Sequence, residues 1–239
     1  VVTTRLITDP DDPAIPAFGL VQNSSYPEPE NLIPVSFLPR MIQWRDASRA
    51  NFLLVAEEDG VVLGGSVFHF MVLPNTGFSS FLGVAHDARG RGIAQSLHEA
   101  RFGVLDDAAQ ASGNRVVDGV FIDVLNPERM SPHEFDLEQS VGFDPFTRRK
   151  VFSRLGFRRV EVAYQQPTGG PGGGPITNLD LLYCPHPGTD TQSVPLEKVL
   201  GTMRAYWSAW LSEDRINTAL ERLRKLSPGS DIPLVRIGD

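Results

Sequence analysis

The run HDARGRGIAQSL, residues 86–97, sets Gly90 and Gly92 beside Arg89 and Arg91, where an apolar stretch gives way to a helix-like one. Those residue types at that spacing suit the cradling of a phosphate. A helix N-terminus leaves its first amides unpaired and carries partial positive charge, and glycines ahead of it let an anion approach the backbone closely. The amides from about Arg91 to Gln95 would face the anion, and the two arginines would add charge. Two other phosphate loops are excluded at named residues. A Walker loop needs a Gly-Lys-Ser/Thr ending, and the dinucleotide fingerprint needs Gly or Ala at position 95, where this chain has Gln95.

A loop of this kind needs a strand before it and a helix after it. Phe52 to Ala56 and Val61 to Val72 read as strands joined through Glu57-Glu58-Asp59-Gly60, a hairpin signal, and Phe78 to Val84 reads as a third strand. From Arg91 onward Ile93, Leu97, Ala100, Val104 and Ala108 mark one buried helical face that ends near Ser112-Gly113-Asn114. Gly119 to Leu125 reads as a buried strand, Thr147 to Leu155 as a helix stopped by Gly156, and Phe157 to Tyr164 and Ile176 to Tyr183 as further strands. Ahead of them, Ile15, Phe18 and Val21 hint at a short helix, and Ser36 is a candidate N-cap for a helix through about Ala47. The QPTGGPGGGP stretch, residues 166–175, cannot pack a core and reads as a mobile loop, with a substrate cover as the lesser alternative.

From Pro195 the pattern is helical again, with Leu196, Val199, Met203, Trp207 and Trp210 on one face and a last helix carrying Ile216, Leu220 and Leu223. The expected organisation is one domain over 1–190 and a C-terminal helical extension over 191–239. Tyr206, Trp207 and Trp210 either pack on the chain's own sheet, the favoured reading, or anchor a homodimer.

The 239 residues are 41% hydrophobic, enough for a sizeable core, and carry a formal charge of −7 with a pI near 5.3. That balance argues against nucleic acid or an anionic membrane as partner, because both demand clustered Lys and Arg. Cys184 is the single cysteine, so no intrachain disulfide forms. With no signal-peptide pattern at the start, the expectation is a soluble cytoplasmic protein. No metal is expected: His133-Glu134-Phe135-Asp136-Leu137 puts Leu137 where a zinc helix needs its second histidine.

Arg89-Gly90-Arg91-Gly92-Ile93-Ala94 resembles the acyl-CoA pyrophosphate loop of the GNAT superfamily of acetyltransferases, Q/R-x-x-G-x-G/A, at every defined position. It follows Leu82-Gly83-Val84, as that family's loop follows an apolar strand, and Arg154-Leu155-Gly156-Phe157 resembles the family's second motif. The resemblance covers about residues 50–184. It implies an α/β fold with a mixed, mostly antiparallel central sheet flanked by helices. It also implies acetyl-CoA as co-substrate and transfer of an acetyl group to a primary amine. By the same resemblance, the backbone of Leu82 and Val84 would hold the pantetheine arm. Gly90, Arg91, Gly92, Ile93, Ala94 and Gln95 would hold the pyrophosphate, with Arg89 beside them, and Asn126 would contact the cofactor.

For the catalytic base, Ile122-Asp123-Val124 occupies the place where some relatives carry an acid. The apolar neighbours of Asp123 would raise its pKa toward neutrality. A capping or paired carboxylate is the equal alternative, and Glu128 and His69 are further candidates. Phe152 stands where many relatives have a proton-donating tyrosine. Either another hydroxyl or a water protonates the thiol, or the protein binds acyl-CoA as a sensor or partner-binding module without turnover. The acidic insertion 127–146 either walls an acceptor pocket or is a solvated loop.

Overall fold

A computed structural model describes residues 1–27, 32–142, 144–169 and 174–237. In chain order its elements are β1 (Thr3–Ile7), α1 (Ala14–Ser24), α2 (Leu38–Gln43), β2 (Arg49–Glu58), β3 (Val61–Met71), β4 (Thr76–Val84), α3 (Ile93–Ala111) and β5 (Gly119–Leu125). There follow α4 (Pro132–Ser140), α5 (Pro145–Arg154), β6 (Arg158–Val160), β7 (Leu179–Pro185), β8 (Ser193–Pro195), α6 (Leu196–Trp207), α7 (Glu213–Leu226) and β9 (Asp231–Val235).

The strands form one nine-stranded sheet in the order β1-β2-β3-β4-β5-β7-β6-β9-β8. Every pairing is antiparallel except that of β4 with β5. The central strands are apolar on both faces, as a sheet covered on both sides requires. Phe52, Leu54, Phe68, Phe70, Val120 and Ile122 pack with α3 and α5 on one face. Leu53, Val55 and Val67 pack with α1 and α2 on the other. That second face continues over β5–β9, where Phe121, Leu181 and Tyr183 meet α6 and α7.

Four local readings change. The helix expected from Ser36 to Ala47 is a 3-10 turn at Val35–Phe37 followed by the short α2. It ends early because Asp46 takes the amides of Ser48 and Arg49 and turns the chain into β2. The strand expected from Phe157 to Tyr164 keeps only Arg158–Val160, and the next starts at Leu179. β1 carries no strong sequence signal and forms as an edge partner of β2. In the insertion, Ser131 and Glu134 make a capping box that starts α4. Gly170, Pro171, Gly172 and Gly173 of the Gly/Pro loop lie outside the described residues.

The C-terminal segment is helical as expected but also returns to the sheet through β8 and β9. Val199, Met203 and Trp207 are buried in the chain's own core, each contributing about 1.5–3 kcal/mol by burial. Polar contacts fix how α6 sits: Thr76 and Thr202 share a hydrogen bond of 2.7 Å, Lys198 ion-pairs with Asp118, and Arg49 reaches the carbonyls of Ala205 and Tyr206 at the helix's C-terminal end. A cation there also meets the negative end of the helix dipole. Tyr206 and Trp207 are thus taken up internally, and Trp210 remains 37% exposed.

Candidate active site

β4 and β5 pair at only two positions, Gly77 with Val120 and Phe78 with Phe121. Beyond them β4 continues to Val84 and β5 to Leu125 with no partner between, so a gap opens through the middle of the sheet. A bulge sharpens the divergence. Val67 pairs with Phe81 but Phe68 with Ser79, leaving Ser80 as the extra residue of β4, and a bulge bends and twists its strand.

The phosphate-suited loop lies at the open end of this gap. Gly90 and Gly92 have φ of +79° and +78°, and a Cβ on either would meet nothing within 4 Å. The left-handed backbone, not crowding, therefore demands glycine at both positions. Ala88 and Ile93 are buried and anchor the two ends of the turn. The first bond of α3 here runs from Ser96 N–H to Gly92 O, so the amides of the preceding residues have no intrahelical acceptor. Ala94 is half-buried, and Gln95 is exposed and donates to Glu99.

The two arginines are tethered elsewhere. Arg91 donates to both carboxylate oxygens of Glu58 at 2.9 and 2.7 Å. Arg89 donates to Val84 O and Gly142 O, the latter at the end of the insertion. An anion placed at this turn would thus meet amides and the helix dipole. Leu82 and Val84 pair with Ser66 and Gly64 of β3 on one side, and their other side borders the gap.

Asp123 lies on β5 past the point of divergence. Burial pushes its carboxyl up to about 6, against a stabilising hydrogen bond from Tyr164, whose hydroxyl donates to Asp123 Oδ2 at 2.8 Å. A carboxylate that titrates near 6 is ionised at neutral pH yet remains a useful base. Tyr164 is held well above its usual range, first by burial and then by Asp123.

The remaining candidates have other partners. Glu128 is exposed on a short 3-10 turn. Asn126 is buried at the end of β5, and its side chain accepts from Glu128 N–H and Arg149 while donating to Asp180. In the insertion, Glu134 caps α4, Glu138 ion-pairs with Arg148 and Asp144 caps α5.

His69 is buried, with Nδ1 2.7 Å from Asn51 Oδ1 and Nε2 2.6 Å from Ser80 Oγ. Burial and then Arg49 hold it well below the usual imidazole range, so it stays neutral. Cys184 has a histidine beside it that sequence reasoning did not find, His98, whose Nε2 is 3.8 Å from the sulfur. Burial pushes the thiol up to about 11 and the imidazole down to about 3, so neither is activated. Phe152 stacks edge-on against Phe157 in the core on the α3 face.

Residues 20–122 match the acetyltransferase (GNAT) family, a stretch that runs from α1 into β5 and contains the loop and the divergence of β4 from β5. Within residues 20–122 the chain is similar to the GNAT acetyltransferase family. Solved acetyltransferase structures are similar to the chain. A putative GNAT-family acetyltransferase from Bacteroides thetaiotaomicron has a TM-score of 0.53 at 14% identity, over 87% of this chain and 96% of that one. An aminoglycoside 6'-N-acetyltransferase complexed with coenzyme A gives 0.50 at 14% identity, over 80% and 99%. A GNAT family acetyltransferase from Elizabethkingia anophelis with acetyl-CoA bound gives 0.44 at 13% identity, over 77% and 98%. No curated protein gave a significant match.

Three residues at the closed end of the gap were not read from the sequence as site residues: Tyr164, Ser80 and Tyr206, the last noted only as part of an aromatic stripe. Ser80 Oγ lies 3.2 Å from Tyr206 OH, and Tyr206 stacks on Phe78 with ring centroids 3.7 Å apart. No local motif marks any of the three. Among the described residues no group of His, Cys, Asp and Glu could hold a metal ion, and no helix is long and apolar enough to cross a membrane.

Proposed function

We propose that the chain transfers an acetyl group from acetyl-CoA to a primary amine. The observation that carries this reading is the alignment of three features along one gap: the glycine loop at its open end, unpaired β4 backbone along its side, and the elevated Asp123 carboxylate further in. A solved structure of similar fold, an aminoglycoside 6'-N-acetyltransferase, is by its title complexed with coenzyme A.

In this reading the amides of Gly90 to Gln95 bind the pyrophosphate and the backbone of Leu82 and Val84 aligns the pantetheine arm. Asn126 holds the end of β5 through Asp180 and Arg149. Asp123 takes a proton from the amine, whose nitrogen forms a bond to the thioester carbonyl carbon as the carbon–sulfur bond breaks. Exposed Glu128 is the secondary candidate for this base. A cytoplasmic setting suits the reaction and the unpaired, unactivated Cys184.

Thiol release from acetyl-CoA across a panel of arylalkyl, polyamine, aminoglycoside and peptide amines tests the proposal. Release that depends on an added amine is expected. Tight acetyl-CoA binding with no release for any amine would replace it with a binding role without turnover, the alternative that Phe152 supports.

A further inference from the structure

Hydrogen-bond arithmetic fixes the protons in the polar chain beneath the gap. Asn51 Nδ2 donates to Trp44 O at 2.8 Å, which makes Asn51 Oδ1 the acceptor for Arg49 Nε at 3.0 Å and for His69 Nδ1. An amide oxygen cannot donate, so neutral His69 carries its proton on Nδ1 and presents a lone pair at Nε2. Ser80 must donate to that lone pair, and Ser80 Oγ is then left to accept from Tyr206. Every proton in the chain below Tyr206 therefore points inward. The Tyr206 hydroxyl proton alone, held by the longest bond of the series, can swing toward the gap by rotation about its C–O bond.

The phenol stands where such a proton is useful. Phe78, on which its ring lies at an interplanar angle of 21°, is the last β4 residue paired with β5, and Ser80 is the bulge residue beyond. Trp210 meets the ring edge-on at 4.7 Å, so the ring is clamped between two aromatic partners. Burial first, and then Asp123 across the divergence, hold the phenol well above its usual range, with Arg49 behind it acting the other way, so the hydroxyl keeps its proton until the sulfur departs. Two rivals for proton donation are unavailable. Tyr164 already donates to Asp123, and Phe152 has no proton to give.

We propose that Tyr206 gives its hydroxyl proton to the sulfur of the departing thiol, and that Asn51, His69 and Ser80 are positioning residues that hold its hydroxyl oxygen in place. The proposal rests on the acetyl-transfer reading above. As the carbon–sulfur bond breaks, its electron pair goes to sulfur and the Tyr206 proton follows. Asp123 then releases the proton it took from the amine and the phenolate takes one up, so the balance is thioester plus amine to amide plus thiol. The donor comes from α6, outside residues 20–122 that match the GNAT family.

The test is steady-state kinetics on the full chain. Tyr206→Phe keeps the ring and its stacking, so kcat should fall about 100-fold, the scale of a lost general acid. The acetyl-CoA Kd, the amine KM and the Tm should hardly move. Ser80→Ala should lower kcat about tenfold by leaving the phenol oxygen unheld, and Ser80→Thr, which restores a hydroxyl, should recover most of it. A Tyr206→Phe enzyme with kcat within about twofold of wild type, or one that loses acetyl-CoA binding and Tm along with kcat, overturns the proposal. Wild-type protein that turns over no amine overturns the acetyl-transfer reading and this proposal together; wild-type turnover with an unaffected Tyr206→Phe overturns this proposal alone.

Discussion

At the open end of the β4–β5 gap, the 89–95 loop draws its chemistry from residues adjacent in the chain. At the closed end, Asp123, Tyr164, Ser80 and Tyr206 come from separate elements, and the Ser80–Tyr206 contact joins residues 126 apart. The first site depends on two backbone angles that glycine permits. The second depends on a bulge, a helix docked by long-range contacts and a chain of oriented hydrogen bonds. Local sites of the first kind tolerate changes elsewhere in the fold, whereas assembled sites fail when any supporting element shifts.

Substitution separates the two. Gly92→Val forces a β-branched residue into left-handed backbone and puts a side chain where the anion would lie. Calorimetric titration should show acetyl-CoA affinity reduced at least about 100-fold, with Tm lowered by only a few degrees for a strain of about 1–3 kcal/mol. Retained affinity would mean that the loop does not hold the cofactor.

Asp123→Asn acts at the other end. It should lower kcat by about 100-fold or more while leaving the acetyl-CoA Kd close to wild type. Unchanged turnover removes Asp123 from the mechanism. In the wild type, kcat should drop as pH falls through about 6, where the carboxylate is protonated, and a rate flat from pH 5 to 8 would contradict that assignment.

The same carboxyl links site and stability. Its folded pKa is raised from 3.8 to about 6, so between those values the native state binds more protons than the unfolded state. Stability therefore falls as pH rises through that window, and the full penalty is present above it. Asp123→Asn should raise Tm at pH 8, and the gain should vanish near pH 3.5. A variant less stable than wild type at pH 8 would show that the Tyr164 hydrogen bond outweighs the burial of charge.

The smallest effect belongs to Arg91→Ala. Its exposed pair with Glu58 is screened by solvent and adds little to stability, so Tm should hold, and acetyl-CoA affinity should fall only a few-fold if amides form the proposed site. A loss comparable to that of Gly92→Val would show that Arg91 leaves Glu58 to bind the phosphate.

Much of the fold was legible because its signals are short-range. The Asp59-Gly60 hairpin, the periodic face of α3 and the continuous apolar β5 each declare themselves within a dozen residues. Glycines at 90, 92 and 156 mark left-handed positions at turns. What was not legible lacks a local cause. β1 becomes a strand because β2 offers it an edge, and β6 stops at Val160, having paired with β7 at only two positions. In the site, Asp123 was visible by its apolar neighbours, but its contact with Tyr164 was not.

The sequence by itself determined the glycine turn ahead of α3, because backbone conformation at Gly90 and Gly92 is set by the residues present there, and it placed a carboxylate in an apolar strand. Only the tertiary structure decided what surrounds that carboxylate. The separation of β4 from β5, the bulge that leaves Ser80 over, and the docking of α6 that brings Tyr206 to it arise from packing among distant segments. No window of adjacent residues contains those contacts, so no pattern within the chain could announce them.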